Sequence, residues 1–184
     1  MKRQMKHVSK RGFTLLELLI VIGIIGLLVT MVAPKLGKML RRARRTACKA
    51  NLKGSSSAFH AYSQDHGVFP EARNMPSAEL GESDPPPPPP LTEVMSEYVA
   101  PKALRCPADN GDGKDQYEPY YKTEGISYEY NTSLGGEPPE NARMAGYTWV
   151  LRDYEFFHAY QGEDGAMNYL LLDGEVKGLS FRVP

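Results

Sequence analysis

Glu17 is the residue whose type fits its surroundings least. It is the single charged side chain between Phe13 and Ala33, in a run that is otherwise almost wholly apolar. A carboxylate costs roughly 2.5–3.5 kcal/mol at the centre of a bilayer, so a membrane-length segment that carries one should need it. The chemistry it offers is pairing with a cation in a low-dielectric place. Other candidates are weaker. Asp109, Asp112 and Asp115 lie in an oxygen-rich Asp-Asn-Gly-Asp-Gly-Lys-Asp stretch, but the regular acid alternation and closing glutamate of a calcium-binding EF-hand are missing. His60 and His66 are six apart and fall on different faces of a helix, whereas a helical metal pair wants i, i+4 spacing; both read as ordinary polar residues. Neither Cys48 nor Cys106 has a second ligand at short spacing, so no zinc site is expected. No nucleophile–base pair, phosphate-cradling glycine loop or catalytic acid pair stands out, and the reading is not an enzyme.

The element that must position Glu17 is a helix. Residues 13–33 would span about 31 Å at 1.5 Å per residue, the thickness of a bilayer core. Ahead of it stand Lys2, Arg3, Lys6, Lys10 and Arg11 with no acid. Without residues 1–12 the 22 basic side chains fall to 17 against 22 acidic ones, a formal charge near −5. A net acidic body argues against nucleic-acid binding, where basic patches carry most of the affinity. A conventional secretory signal would need small residues before its cleavage site, yet Met31 and Pro34 flank the candidate after Ala33. Lipoprotein processing needs a cysteine directly after the apolar run, and the first is Cys48. A plain uncleaved anchor stays open, but leaves Glu17 without a purpose.

The run RGFTLLELLIVIGIIGLL over residues 11–28, with Gly12, Phe13, Glu17 and Pro34, resembles the N-terminal signal of type IV prepilins and type II secretion pseudopilins. The resemblance implies a cut between Gly12 and Phe13 by a membrane prepilin peptidase, which also methylates the new amine. It implies a single pass through the cytoplasmic membrane with the head in the periplasm, and later a filament. Expected partners are that peptidase, copies of the chain and other pilin-like subunits, an assembly platform with its ATPase, and the membrane. Glu17 would pair with the Phe13 amine of a neighbouring subunit, and Pro34 marks where such helices bend. The function implied is a structural filament subunit, foremost of a secretion pseudopilus. A pilus or DNA-uptake pilin, or an anchored binding domain that never polymerises, are the alternatives.

Past Pro34 the helix should continue to about Gln64, kinked rather than stopped. Leu36, Leu40, Ala43 and Ala47 make one stripe, expected against neighbouring helices. Cys48, Leu52, Ser55, Phe59 and Tyr62, at steps of four and three, make another facing the chain's own head. Gly67 can terminate the helix in a left-handed conformation. Lys35, Lys38, Arg41, Arg42, Arg44, Arg45, Lys49 and Lys53 crowd this stretch; the options are a solvated or lipid-facing face, intersubunit contact, or nucleic acid. Their place outside the membrane runs against the positive-inside bias. Pro85 to Pro90 read as an extended exposed spacer, and Leu91 to Tyr98 as a short helix capped by Thr92. Strands are expected over 126–130, 147–152, 168–172 and 175–179, the last two joined by Asp173-Gly174 in a type I′ hairpin turn. The fold class is α+β: a long N-terminal helix, transmembrane then amphipathic, packed on a small antiparallel sheet. Its organisation is a leader over 1–12, a membrane or filament-core helix over 13–33, an amphipathic continuation over 34–66, a loop-rich segment with the polyproline spacer over 67–124, and the sheet over 125–184.

Cys48–Pro70, Leu104–Asp109 and Met167–Leu179 resemble a narrower pilin-like group, common in planctomycetes, with a C-terminal His…Asp-Gly signature. Here His158 and Asp173 are separated by 14 residues, wider than in that group. With the head outside the cytoplasm, a Cys48–Cys106 disulfide is the favoured reading over two buried thiols. It would close a loop of about 59 residues and contribute on the order of 4 kcal/mol. Calcium in a C-terminal loop is a property of major pseudopilins, with Asp109, Asp112 and Asp115 as weak candidates; no other cofactor is expected.

Overall fold

A computed structural model describes residues 13–77, 85–110, 118–142, 146–158 and 165–179. The chain divides into two units, Met1–Leu40 and Arg41–Pro184. Helix α1, Leu15–His66, contributes its first half to one and its second half to the other. In the first unit, Leu15–Ala33 is long and apolar enough to cross a membrane. Its large apolar side chains are exposed, Leu15 at 88%. The helix continues through Pro34, so the proline does not stop it.

The second unit is organised by the amphipathic half of α1. Cys48, Leu52, Ser55 and Phe59 are buried and Tyr62 is half-buried, so the 4-3 stripe is the face that meets the head. Leu36 and Leu40 of the other stripe are exposed. Gly67 ends the helix at φ +75°, its amide donating to the Ser63 carbonyl at 2.9 Å.

The sheet is an antiparallel meander in the order β1-β2-β3-β4: Tyr128–Tyr130, Trp149–Asp153, Met167–Leu171 and Val176–Leu179. One face packs on α1, with Phe59 stacked on Tyr130 at 5.5 Å between ring centroids. On the other face Met167, Tyr169 and Leu171 gather around Trp149, and Arg152 lies over the Trp149 ring at 4.7 Å. Strand β3 is therefore buried on both sides, which is why it shows no polar alternation; its one polar side chain, Asn168, is also buried.

The hairpin between β3 and β4 corrects one expectation. Gly174 has φ +77°, but Asp173 does not share the positive φ that a type I′ turn demands. The Gly174 amide donates to the Leu171 carbonyl at 2.9 Å, and the Leu171 amide to the Glu175 carbonyl at 2.9 Å. This is a three-residue loop, a type I turn followed by a left-handed glycine. Asp173 Oδ1 accepts from the Glu175 amide at 2.8 Å, holding the turn in the form that spares Asp173 a left-handed backbone.

Residues 67–124 are more than connection. Phe69, Ala72, Leu91, Met95, Val99, Leu104 and Cys106 are all in the core. Helix α2, Leu91–Val94, is preceded by Pro90 as its cap residue rather than by Thr92. Pro90 already supplies the extended entry and a carbonyl that accepts from the Glu93 amide. The proline run is not a free spacer at its C-terminal end: the Arg73 amide donates to the Pro89 carbonyl at 3.0 Å and the Leu91 amide to the Arg73 carbonyl at 3.2 Å.

Candidate functional site

At the start of α1, Thr14 is the N-cap and Glu17 the third helical residue. The Glu17 amide donates to Thr14 Oγ1 at 3.2 Å, and Glu17 Oε2 accepts from the Thr14 amide and hydroxyl, both at 2.9 Å. This is a reciprocal capping box. The sequence carries its signature, Thr-Leu-Leu-Glu, and Thr14 is the residue that reasoning from charge alone passed over. Phe13 is 78% exposed beside it. Gly12 lies outside the described residues. Glu17 therefore has a purpose inside a single chain, and a plain anchor would not leave it idle.

The second constellation is deep in the head. Cys48 of α1 and Cys106 are joined by a disulfide, with Cα atoms 4.9 Å apart and a sequence separation of 58. Cys106 is delivered by the turn after the 3-10 segment Pro101–Leu104. Asn51 Nδ2 fixes that turn to α1 by donating to the Arg105 carbonyl at 2.6 Å. Against the disulfide stand Asp153 and His158. His158 Nε2 is 3.5 Å from Cys106 Sγ and 3.3 Å from Asp153 Oδ2. Asp153 Oδ1 is 3.9 Å from Cys48 Sγ.

A β-bulge aims Asp153. Trp149 pairs with Leu171 and Leu151 with Leu170, so Val150 is the extra residue in β2. Val150 and Leu151 consequently both enter the core, and the alternation resumes with Arg152 outward and Asp153 inward. Without the bulge Asp153 would point to the other face. The Asn168 amide at 2.7 Å and its Nδ2 at 3.0 Å donate to Asp153 Oδ2. Burial raises the Asp153 carboxyl above its ordinary range, against opposing stabilisation from His158 and Asn168. Burial and the Asp153 charge likewise push the Tyr128 phenol up, so it remains a donor beside Cys48 Sγ, 3.5 Å away. The sequence showed no metal-ligating pair at short spacing. The structure assembles two sulfurs, an imidazole and a carboxylate from three separate stretches of the chain.

The remaining candidates separate. Asp109 is buried and accepts from the Tyr120 amide at 3.1 Å, the Tyr121 amide at 2.8 Å and Ser127 Oγ at 2.7 Å. Its oxygens tie the start of helix α3, Tyr120–Thr123, to Ser127, the residue before β1. Asp112 and Asp115 lie outside the described residues. His66 Nε2 is 3.2 Å from Tyr98 OH, and His60 Nε2 3.2 Å from Gln64 Nε2. From the basic run, Lys53 donates to the Gly174 carbonyl at 2.7 Å. Arg45 lies against Gly165 and Gly178, where a Cβ at either position would overlap the guanidinium.

Comparison with known proteins bears on the N-terminal element. Residues 8–33 match the family described as the prokaryotic N-terminal methylation motif. The chain is 37% identical over 90 residues to the type IV major pilin protein PilE1 of Neisseria gonorrhoeae, covering 49% of this chain and 37% of the relative. It is 36% identical over 66 residues to the type II secretion system core protein G of Klebsiella michiganensis, covering 36% of this chain and 46% of the relative. It is 36% identical over 70 residues to the competence protein ComGC of Halalkalibacterium halodurans, covering 38% of this chain and 67% of the relative. The chain belongs to the type IV pilin-like family. This pilin-like chain spans less than half the length of the gonococcal and Klebsiella relatives. Members of the family are structural subunits and not enzymes. No solved structure matches the chain. The motif ends at Ala33 and does not bear on the His…Asp-Gly signature, of which His158 sits in the cysteine pocket and Asp173-Gly174 in the hairpin turn.

Proposed function

We propose that the chain is a structural subunit of an envelope filament, cut between Gly12 and Phe13, methylated on the Phe13 amine, and assembled from the cytoplasmic membrane with its head in the periplasm. The observation that carries the reading is Glu17 at the mouth of a 19-residue membrane-length helix, inside the matched methylation motif. Its expected partners are the prepilin peptidase, copies of itself and other pilin-like subunits, and an inner-membrane platform with its ATPase. Within the class our reading is the pseudopilus of a type II secretion-like system, supported by the identity to core protein G of Klebsiella michiganensis and of Pseudomonas aeruginosa. A pilus or DNA-uptake filament is the second reading, favoured by the 90-residue identity to a gonococcal major pilin and by the extent of ComGC covered.

Two unit charges about 4 Å apart attract by roughly 4 kcal/mol at an effective dielectric near 20. A Glu17 carboxylate paired with the Phe13 amine of a neighbour would offset much of the cost of burying either, and only in the correct axial register. Intact-mass analysis of the membrane-extracted chain tests the processing. The expected species lacks residues 1–12 and carries one added methyl group; an N-terminus at Met1 or after Ala33 refutes the reading. Deletion of the gene then separates the systems, since a pseudopilin loses secreted proteins from the medium and a pilin loses surface fibres or DNA uptake.

A further inference from the structure

The pocket around Cys48 gathers the donor set of a metal centre within a few ångströms. A tetrahedral zinc ion with bonds of about 2.3 Å to sulfur and about 2.0–2.1 Å to nitrogen or oxygen sets its ligands roughly 3.3 Å apart for N···O and roughly 3.5 Å apart for S···N or S···O. In the head, His158 Nε2 is 3.3 Å from Asp153 Oδ2 and 3.5 Å from Cys106 Sγ, and the other oxygen of the same carboxylate, Oδ1, is 3.9 Å from Cys48 Sγ. All four donor groups lie within 4.8 Å of one another and all four residues are buried. A disulfide needs none of this polar company, and a buried carboxylate and imidazole are expensive neighbours for one.

We propose that, when both thiols are free, Cys48, Cys106, Asp153 and His158 form a closed four-coordinate site for a zinc-class divalent ion. The ion and the disulfide are alternative occupants of one pocket, because the ion needs both sulfurs as thiolates, roughly 3.8 Å apart. Binding releases the two thiol protons to solvent and leaves a site of net charge −1. Two neighbours compensate that charge. Tyr128 OH donates toward Cys48 Sγ, and Asn168 donates twice to Asp153 Oδ2, orienting the carboxylate as outer-shell groups do in metal centres. His158 binds through Nε2, which faces the sulfur and the carboxylate, leaving the proton on Nδ1. Two sulfurs, one nitrogen and one oxygen favour zinc over calcium or magnesium, and the closed, buried arrangement makes the site structural rather than catalytic.

The test uses the full chain in detergent, reduced with a non-chelating phosphine under anaerobic conditions and titrated with Co(II). The expected result is saturation at one equivalent, with a thiolate-to-cobalt charge-transfer band and the intense visible bands of a tetrahedral site, all abolished by Zn(II). His158→Gln and Asp153→Asn should each weaken binding by at least about tenfold, and Asn168→Ala by about 10–100-fold. Each variant is first purified as the folded disulfide form, so a lost band is not mistaken for a lost fold. If reduction unfolds the metal-free chain, Zn(II) should restore its circular dichroism. A reduced, folded chain that shows no charge-transfer band overturns the proposal. So does a band indifferent to both His158→Gln and Asp153→Asn, or an unfolded reduced chain that Zn(II) fails to refold.

Discussion

Glu17 turns its carboxylate back onto Thr14, accepting from both the Thr14 amide and hydroxyl at 2.9 Å while Thr14 Oγ1 accepts from the Glu17 amide. In a lone chain this pair of bonds answers two of the orphan donors that every helix start exposes. The same carboxylate is the group proposed to meet the Phe13 amine of a neighbour. Phe13 directly precedes the cap, so the acid need not travel between the two roles: it is already oriented toward the end of the helix where a charged amine would arrive.

Separate substitutions should divide the two roles. Thr14→Ala removes the cap and should cost about 1 kcal/mol of helix stability while leaving filaments intact. Glu17→Leu should leave cleavage and membrane insertion unchanged but abolish filaments. Electron microscopy of sheared filaments, with immunoblots of processed subunit, reads both; normal filaments from Glu17→Leu chains alone would end the assembly role.

In metal-free, air-oxidised protein, non-reducing peptide mapping should recover Cys48 linked to Cys106. Cys106→Ser should lower head stability by about 2–5 kcal/mol in urea titrations. An unchanged midpoint would mean the crosslink constrains little of the unfolded chain.

Gly174→Ala should destabilise the head by about 1–2 kcal/mol, the cost of a side chain in the left-handed region. Gly174 has φ +77°, and a Cβ there would also press on Ser56 Oγ of α1. Thermal unfolding followed by circular dichroism measures it. Gly67→Ala, at φ +75° with open space around it, should show the backbone part of the penalty alone.

The two stripes of α1 should respond oppositely. Leu52→Ala removes a fully buried side chain from the head and should cost about 2–5 kcal/mol. Leu40→Ala, 54% exposed, should leave monomer unfolding within about 0.5 kcal/mol of wild type. Equal losses at both positions would mean that the helix face has been assigned wrongly.

The features legible in the residues were those written in short-range pattern. The Cys48–Tyr62 stripe follows from a helical period, the Gly67 stop from a glycine, and the four strands from aromatic, β-branched and apolar runs flanked by turn residues. Turn type at Asp173-Gly174 was not legible, because a type I turn with a left-handed glycine and a type I′ turn use the same dipeptide. The clamp on Pro89 and Leu91 runs through backbone groups of Arg73, which no side-chain pattern reveals. Least visible was the company of the cysteines. Asp153 and His158 reach them from more than 40 residues beyond Cys106, and only the Val150 bulge turns Asp153 inward.

That α1 comes first and the sheet last has a consequence in time. Half of the buried core that Leu52 and Phe59 share with the rest of the head belongs to residues 126–170. At a synthesis rate of 5–20 residues per second, Phe59 waits roughly 5–20 s for Leu170 to exist. Through that interval the stripe lacks half of its cover, and for the first part of it Cys48 is a thiol whose partner, Cys106, has yet to be made. Early escort of the half-made chain therefore falls to whatever else meets that stripe, and the head becomes cohesive only when its final hairpin closes.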